Sequence, residues 1–458
     1  MNKNIKNWVF TFATVAFLAS CDKKLDVLPT ATIEETEALA NSQAVEVTLI
    51  GAYDAISSSN VYGGAMQYSG DLLGAEPTEM RFAGTFVTLD ELWRKTFTTT
   101  NSQTQATWLQ SYNAINITNN VLSALDKVET SKKASVEGEA RFIRGLVYFD
   151  LVRLWAKAWA DGDPTTNLGV PLVTTPTRGI TDTDYRPRAT VAAIYAQVIE
   201  DLTKAESLLP LTQSSEKYNT SESLNGFATR GAAQAILARV YMQQGKYAEA
   251  RDAANKVIAS KLYSLTPTFQ EAFRDATNDS EVIFRIIVTD QDGANSLNTY
   301  YAPASYQGRG DIRVLSPFLN LYGAGDTRGT YFVRASNNTY TGKHLDQYGD
   351  VSVIRLAEVY LIRAEANLRL GTTVGATPLS DVNLIRSRAG ATPLTTVSVT
   401  DVLKERKLEL AFEGEQIHDV KRTKGGVAGL TFSDNKLVIP IPQREIDTNK
   451  SLVQNPGY

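Results

Sequence analysis

Cysteine and histidine are almost absent from this sequence, and both absences narrow the chemistry open to it. Its 458 residues include a single cysteine, Cys21, and two histidines, His344 and His418. One cysteine cannot form an internal disulfide, so the stability of the fold has to come from core packing. Two histidines that lie far apart in the sequence, without cysteine partners, argue against a zinc site and against a histidine-based catalytic triad.

The sequence also lacks a strong charge of either sign and a second long apolar run. Its formal net charge is −4, and basic pairs such as Lys132-Lys133 and Lys421-Arg422 are isolated. Nucleic-acid-binding proteins usually carry clustered basic residues, so this composition argues against such a function. Beyond the N-terminal segment, no apolar stretch approaches the ~20 residues that a membrane-spanning helix needs.

The N-terminus carries the pattern of an export signal. Two lysines precede an apolar run over residues 8–19, and a Leu-Ala-Ser triplet leads directly into Cys21. This order is typical of a secretory signal peptide. Because a cysteine follows the small residues, it also matches a bacterial lipobox, in which the thiol is lipidated and becomes the new N-terminus. We expect residues 1–20 to be removed, Cys21 to carry lipid and residues 21–32 to form a tether. An ordinary signal peptide with a chance cysteine is the alternative.

Hydrophobic residues recur at steps of three and four along most of the chain, which predicts a largely helical body. The clearest helical runs cover residues 34–57, 107–125, 137–155, 190–209, 228–244, 246–260 and 399–413. In the run 137–155 the apolar residues share one face, with the charges opposite. Trp108, Phe149 and Trp155 are expected in the core.

Two segments resemble a tetratricopeptide hairpin. Small residues at Ala238 and Ala250 flank Gly245, and Ala364 and Gly371 repeat part of that spacing 126 residues later. The large separation excludes a tandem solenoid and indicates helical hairpins interrupted by insertions. The fold class predicted is mainly α, with tetratricopeptide-like hairpins, large irregular insertions and a few short strands.

The insertions are expected where periodicity is lost, at about residues 71–105 and 290–349. Residues 282–288 and 437–441 read as short strands. A stretch of about sixty residues without helix, such as 290–349, exceeds a simple connector and is often functional. A chain of 438 residues, after removal of the signal, also exceeds the ~250–300 residues of a usual single core, so length alone predicts two or three domains.

The aromatic residues of the insertions are the candidate ligand contacts. Seven of the twenty tyrosines lie between residues 290 and 349. Sugars present apolar C–H faces to aromatic rings and hydroxyl groups to polar side chains, a combination typical of ligand sites. The residues chosen for stacking are Trp93, Tyr300, Tyr301 and Tyr306, and those chosen for hydroxyl groups are Arg81 and Asn101. The alternative is that these aromatics only pack the insertions onto the helices.

Catalytic and metal-binding patterns are weak. Glu76 and Glu79 are the only loop carboxylate pair considered for glycoside hydrolysis, and nothing near them in the sequence suggests a raised pKa. Acidic clusters at 161–163 and 290–293 do not fill a calcium-loop pattern and are read as solvated loops. We therefore expect no enzymatic activity, no metal and no cofactor.

Several ordered segments resemble the SusD/RagB family. They are Ala140–Arg153, Arg188–Leu202, Arg355–Ala366, Glu405–Gly414, Val438–Ile446 and Asn455–Tyr458. Each segment alone is weak evidence for the resemblance, whereas the ordered set is strong and spans the chain from Cys21 to Tyr458. The resemblance implies one helical domain over residues 21–458, built on four tetratricopeptide-like hairpins, in place of the two or three domains that length suggests.

The resemblance also implies a function and a partner. It implies a non-catalytic lipoprotein on the outer face of the outer membrane that binds an oligosaccharide and delivers it to a SusC-like TonB-dependent transporter. Two alternatives remain open. One is a RagB-like lid that binds peptides, and the other is a tetratricopeptide scaffold whose only ligand is protein.

Overall fold

The computed structural model describes residues 35–179, 181–214, 224–273 and 280–458, and helices dominate it. The signal segment, Cys21 and the tether 21–32 lie outside these residues. The helices are α1 Glu35–Ala38, α2 Ser42–Ser57, α3 Ala65–Gly74, α4 Val87–Arg94, α5 Ser102–Ser123, α6 Thr130–Trp155, α7 Val191–Leu208, α8 Arg230–Gln244, α9 Tyr247–Ser260, α10 Ser296–Tyr301, α11 Ser316–Leu319, α12 Leu356–Leu370, α13 Pro378–Arg388, α14 Val399–Glu409, α15 Gln416–Arg422 and α16 Gln443–Thr448.

The strands are short and all of their pairings are antiparallel. They are β1 Met80–Phe82, β2 Leu168–Pro171, β3 Arg188–Thr190, β4 Val282–Ile286, β5 Ile312–Val314, β6 Phe332–Ala335, β7 Asn338–Thr341, β8 Val351–Arg355, β9 Gly426–Val427 and β10 Leu430–Thr431. One four-stranded sheet has the order β1-β5-β7-β6, and the pairs β2–β3, β4–β8 and β9–β10 stand separately. The prediction of a mainly helical fold with a few short strands is therefore confirmed.

The first predicted hairpin is α8–α9. Thr229 caps the start of α8, where its side chain accepts a hydrogen bond from the amide of Ala232. Gly245 ends the helix with a φ of 69°, a left-handed conformation that glycine adopts without steric cost. The small residues Ala250 and Ala254 are fully buried, so α9 approaches its neighbours closely.

The second hairpin is α12–α13, and it is a spatial neighbour of the first. Gly371 ends α12 in the same left-handed conformation, with a φ of 66°. Helix α9 packs along α12, so the hairpins that are widely separated in sequence lie side by side. The intervening residues supply β4, the large insertion and β8.

Three local predictions are wrong. Residues 34–57 do not form one helix, because Asn41 is extended and its side chain caps the start of α2. Residues 437–441 form no strand; the amide of Ile439 instead donates to the carbonyl of Leu154 at the end of α6. Region 290–349 is not free of helix, since it contains α10 and α11 as well as three strands.

The charged residues of α6 are also placed differently from the prediction. Over residues 138–155 they do not face solvent opposite an apolar face, because every residue of that stretch except the half-buried Arg141 is buried. Arg144 forms a salt bridge with Asp201 of α7 at 2.7 Å, and Arg153 pairs with Glu415 at 3.0 Å. Both arginines are less than 7% exposed. Helix α6 is thus a central element whose charges are satisfied by its neighbours.

The C-terminal segment closes the fold over the end of α6. The amide group of Asn455 donates to the carbonyls of Trp155 and Ile439 at 2.9 and 2.8 Å. The side chain of Gln454 accepts a hydrogen bond from the amide of Ile441 and donates one to the carbonyl of the same residue. The amide side chains of this segment thereby satisfy backbone groups that would otherwise be buried without partners.

One hydrophobic cluster extends from Leu39 to Leu452 through most of the helices. Trp108, Phe149 and Trp155 are each at most 2% exposed, which confirms their prediction as core residues. Within the described ranges, no helix is both long and apolar enough to cross a membrane.

Candidate functional site

The two insertions predicted from the sequence meet in one sheet. Strand β1, from the first insertion, pairs with β5, from the second, so that Arg81 lies opposite Arg313. Strand β5 continues the sheet to β7 and β6. Segments more than two hundred residues apart in sequence therefore build one surface, beside which α4 and α10 lie.

A surface depression lies at this junction, with a volume of about 400 Å³. Side chains that line it include Arg81, Thr85, Phe86, Asp90, Arg94 and Arg313. Among the described residues, the buried Nε of Arg313 has no hydrogen-bond partner. Three guanidinium groups and one aromatic ring thus make the depression a donor-rich concavity with an apolar edge.

The aromatic edge is a small cluster centred on Phe86, which is 43% exposed. Its ring meets Tyr300 edge to face, with centroids 5.8 Å apart, and Tyr300 in turn meets Tyr68 at 5.2 Å. The guanidinium of Arg309 lies 4.6 Å above the Phe86 ring and donates to the hydroxyl of Thr85 at 3.0 Å. These contacts fix an exposed ring in one orientation.

The carboxylates at this surface are engaged in ion pairs. Asp90 pairs with Arg94 at 2.7 Å, and Asp311 pairs with Arg309 at 2.9 Å. A general acid or base needs a carboxyl group that is free to exchange a proton with substrate. The arrangement is therefore suited to binding through hydrogen bonds and ring contacts.

Three of the predicted site residues come together here. Arg81 is exposed and lines the depression, and Tyr300 is half-buried against Phe86. Trp93 is half-buried beside the depression, where its indole N–H donates to the carbonyl of Met80 at 2.9 Å. Arg94 lies over the Trp93 ring at 5.2 Å.

Tyr306 lies on the turn that follows α10. It is 41% exposed, and its carbonyl accepts a hydrogen bond from the buried side chain of Asn298. It is thus presented to solvent by a fixed backbone. Whether Tyr306 and the three residues at the depression contact a ligand stays a prediction.

Tyr301 and Asn101, predicted as ligand contacts, are buried in the structure. Tyr301 is fully buried, and its hydroxyl donates to the Asp71 carboxylate at 2.5 Å. Asn101 is 3% exposed because it caps α5, accepting from the amide of Thr104 and donating to Glu91. Both side chains stabilise the insertions internally and present no polar group to the surface.

Sequence reasoning missed Phe86, Thr85, Arg309 and Arg313. Each lies within or next to the predicted insertions, yet no local pattern distinguishes them from other loop residues. Their role follows only from the pairing of β1 with β5. The sole signal available was the occurrence of aromatic and basic residues in both insertions.

The other candidates for chemistry have structural partners. Glu79 pairs with Lys407 at 2.6 Å, and Glu76 accepts a hydrogen bond from the amide of Ala428. In the part of the chain that the structure describes, no group of three or more histidine, cysteine, aspartate or glutamate residues could hold a metal ion.

Comparison with known families agrees with this architecture. A family model described as starch-binding associating with outer membrane matches residues 25–242, and the model of the SusD family matches residues 194–431. The second match covers more than half of the chain. The chain therefore belongs to the SusD family.

Individual relatives extend over the whole chain. SusD-like protein P2 of Formosa agariphila is 24% identical over 529 aligned residues, which cover 99% of this chain and 100% of that protein. The starch-binding protein SusD of Bacteroides thetaiotaomicron is 31% identical over 153 residues, 30% of this chain and 27% of that protein. A crystal structure of a SusD superfamily protein from Bacteroides vulgatus superposes with a TM-score of 0.79 at 26% identity, covering 91% of this chain and 99% of that one.

Proposed function

We propose that this protein binds an oligosaccharide at the depression between the two insertions, without catalysing its cleavage. The observation that carries the proposal is the exposed Phe86 ring, which is fixed between Tyr300 and Arg309 at the edge of an arginine-lined concavity. Membership of a family that includes a starch-binding protein supports the same ligand class.

The chemistry of the depression fits a glycan. A sugar ring can place its C–H face against Phe86, while its hydroxyl groups accept hydrogen bonds from Arg81, Arg94 and Arg313. Arginine side chains offer several N–H donors in a fixed plane, which suits neighbouring hydroxyl oxygens. Because the depression is open, an oligosaccharide can extend beyond the sugar residues that it binds.

The double variant Phe86→Ala and Tyr306→Ala tests the two exposed rings, one at the edge of the depression and the other on the turn after α10. Both side chains are more than 40% exposed, so their removal leaves the core intact. We expect a loss of glycan affinity of at least about tenfold, equivalent to ~1.4 kcal/mol, because two exposed rings are removed. The measurement is affinity gel electrophoresis of the soluble chain, residues 22–458, across a panel of polysaccharides.

A matched control is Leu262→Ala, which removes an apolar side chain that is 42% exposed and follows the end of α9. It should be retarded in the gel like the unmodified chain. If the double variant is retarded as strongly as the control, neither exposed ring contributes to glycan binding and the proposed site is wrong. If no polysaccharide retards the unmodified chain and peptides co-purify with it, the peptide-binding alternative replaces this proposal.

We further propose that the chain is anchored to the outer membrane through lipid on Cys21 and delivers its ligand to a SusC-like TonB-dependent transporter. The lipobox pattern before Cys21 and the family match support both parts. In cells, Cys21→Ala is expected to move the protein out of the outer-membrane fraction, and a tagged unmodified chain should co-purify with the transporter. A variant that stays in the membrane fraction would refute the lipid anchor, and purification without the transporter would refute the partner.

A further inference from the structure

Two arginines face each other across the sheet that joins the insertions. Arg81 on β1 and Arg313 on β5 are direct partners in the antiparallel register. Residues that flank them, Met80, Phe82 and Ile312, are buried. Because successive side chains of a strand point to opposite faces, both arginines lie on the outer face, where they line the depression. Directly opposite residues have Cβ atoms about 4.5–5.5 Å apart, so two positive charges are held close together.

Neither arginine has an acidic partner. Within residues 35–179, 181–214, 224–273 and 280–458, the guanidinium groups of Arg81 and Arg313 form no salt bridge and no hydrogen bond. The Nε of Arg313 is enclosed, whereas its two terminal nitrogens are not. Arg81 is exposed. Both side chains can therefore donate hydrogen bonds into the depression.

The acids of this surface do not neutralise the pair. Asp90 is held by Arg94 at 2.7 Å, and Asp311 is held by Arg309 at 2.9 Å. Among the described side chains that line the depression, three are arginines and Asp90 is the single acid, so the lining carries two excess positive charges. The whole chain instead has a net charge of −4. The depression is thus a local positive surface on an acidic protein.

This arrangement has a cost that other arginines of the protein avoid. Like charges placed directly opposite each other destabilise a pair of strands. Arg144 and Arg363, by contrast, meet the carboxylates of Asp201 and Asp381, both at 2.7 Å. An anion bound between the two unpaired guanidinium groups would remove their mutual repulsion.

The chemistry of the guanidinium group defines that anion. It presents several N–H donors in one plane, which match the oxygens of a carboxylate or a sulfate ester. A neutral hydroxyl group can accept one of these hydrogen bonds, but it leaves the repulsion between the two arginines in place. The pair therefore favours an anionic group over a hydroxyl group.

The surroundings of the pair indicate that the anion belongs to a larger ligand. The depression has a volume of about 400 Å³, which exceeds the size of one carboxylate or sulfate group. The Phe86 ring at its edge is 43% exposed and offers a contact to the apolar part of the same ligand.

We propose that Arg81 and Arg313 are a specificity-determining pair, which binds one carboxylate or sulfate group and makes the depression selective for polyanionic chains over neutral ones. This selectivity rests on the function proposed above, because it places the ligand at the same depression. The relative named as a starch-binding protein is named for an uncharged polysaccharide, so the selectivity is inferred from the arginine pair and not from that relative.

The test compares polymers that differ in charge but share a backbone. The probes are polygalacturonate with its methyl ester, and dextran sulfate with dextran, each titrated calorimetrically into the soluble chain, residues 22–458. We expect the charged member of at least one pair to bind about tenfold more tightly, because charge-assisted hydrogen bonds are stronger than neutral ones. The pair of polymers that shows the preference distinguishes a carboxylate from a sulfate. Added salt should weaken only the charged member.

The discriminating variants are Arg81→Gln and Arg313→Gln. Each removes one charge but keeps an N–H donor, so each should weaken the charged polymer by about tenfold or more. Arg81→Lys keeps the charge and should retain part of the preference. The midpoint of thermal unfolding of the free glutamine variants should stay the same or rise, since the opposing like charge is gone. A merely structural arginine would instead lower that midpoint when replaced.

A matched control is Arg334→Gln. Arg334 is exposed on β6 of the same sheet, has no ion pair with any described residue and does not line the depression. The control removes the same charge from the chain, so it should leave the affinity for every polymer unchanged. If it weakens the charged polymers as much as Arg81→Gln does, the preference arises from net charge and the pair is not a binding site.

The remaining outcomes separate this proposal from the glycan function. Equal binding of the charged and neutral members of both pairs would refute the anion-binding pair and leave the glycan function standing. Poly-glutamate serves as a polyanion that is not a glycan. If Arg81→Gln weakens its binding and no polysaccharide binds, the arginine pair is supported and the glycan function is refuted. No binding by any of the polyanions would overturn the pair itself.

Discussion

Replacing Glu409 with glutamine is expected to lower the free energy of unfolding by about 3–5 kcal/mol, the usual cost of breaking a buried ion pair. Glu409 is fully buried at the end of α14. Its carboxylate accepts hydrogen bonds from Arg328, Arg355 and Arg388 at 3.1, 3.2 and 2.5 Å. Glutamine keeps the shape but removes the negative charge shared by three buried cations. Urea denaturation of residues 22–458 measures the loss.

The pH dependence supplies an independent check on the same group. Burial by itself would raise the pKa of Glu409, but the three arginines outweigh burial and hold the pKa well below its ordinary 4.5. The stabilisation that Glu409 contributes is therefore complete above its ordinary pKa of 4.5 and is lost as the pH falls toward its lowered pKa. The gap in unfolding free energy between the unmodified chain and Glu409→Gln should narrow in acid.

A matched control for this prediction is Glu129→Gln. The Glu129 side chain is 62% exposed, and its contact with Lys132 is 3.7 Å. Exposed ion pairs contribute little, so the same chemical change should leave unfolding unaltered. If the two variants unfold alike, the arginine cluster around Glu409 does not stabilise the fold.

Replacing Asp71 with asparagine is expected to abolish a loss of stability that the unmodified chain shows between about pH 4 and pH 7. Burial raises the pKa of Asp71 from 3.8 to about 7, although hydrogen bonds from Tyr301 and the amide of Gly414 lower it in part. A carboxyl group whose pKa is raised by folding stabilises below its unfolded pKa and loses that contribution as the pH rises. At ~1.36 kcal/mol for each pKa unit, the loss is at most about 4 kcal/mol. Unfolding in urea at a series of pH values measures it.

Tyr301→Phe gives the sharper test of this mechanism. It removes the hydroxyl that donates to Asp71 at 2.5 Å while keeping the buried ring. Because that hydrogen bond favours the ionised carboxylate, its loss should move the midpoint of the pH dependence to higher pH. Parallel pH profiles for the unmodified chain, Asp71→Asn and Tyr301→Phe would show that Asp71 does not titrate in this range.

Glu409 also shows why the hydrophobic periodicity of a single segment does not reveal which charged residues are buried. The sequence predicts only a helix over residues 399–413, and over residues 137–155 it predicts charges on the face opposite the apolar residues. In the structure, Arg328, Arg355 and Arg388 come from three other parts of the chain and surround Glu409 in the interior. Periodicity records which residues share a helix face but not which other charges will face them.

The candidate site was predictable only in outline. The loss of periodicity located both insertions, and Arg81, Trp93 and Tyr300 do lie where the insertions meet. Tyr301 differs from Tyr300 by one position on a helix of six residues, yet it points into the core. So short a helix carries too few residues for its buried face to be read from the sequence.

The sequence by itself determined the family, the helical body, its hairpins and its aromatic core. Those features follow from spacing within single segments and from the order of motifs, which survive without knowledge of distant neighbours. Only the tertiary structure decided the pairing of β1 with β5 and the depression beside it, because both join segments more than two hundred residues apart. It also decided that Arg144, Arg328 and Arg355 are buried, since each of them meets a carboxylate from another segment in the interior.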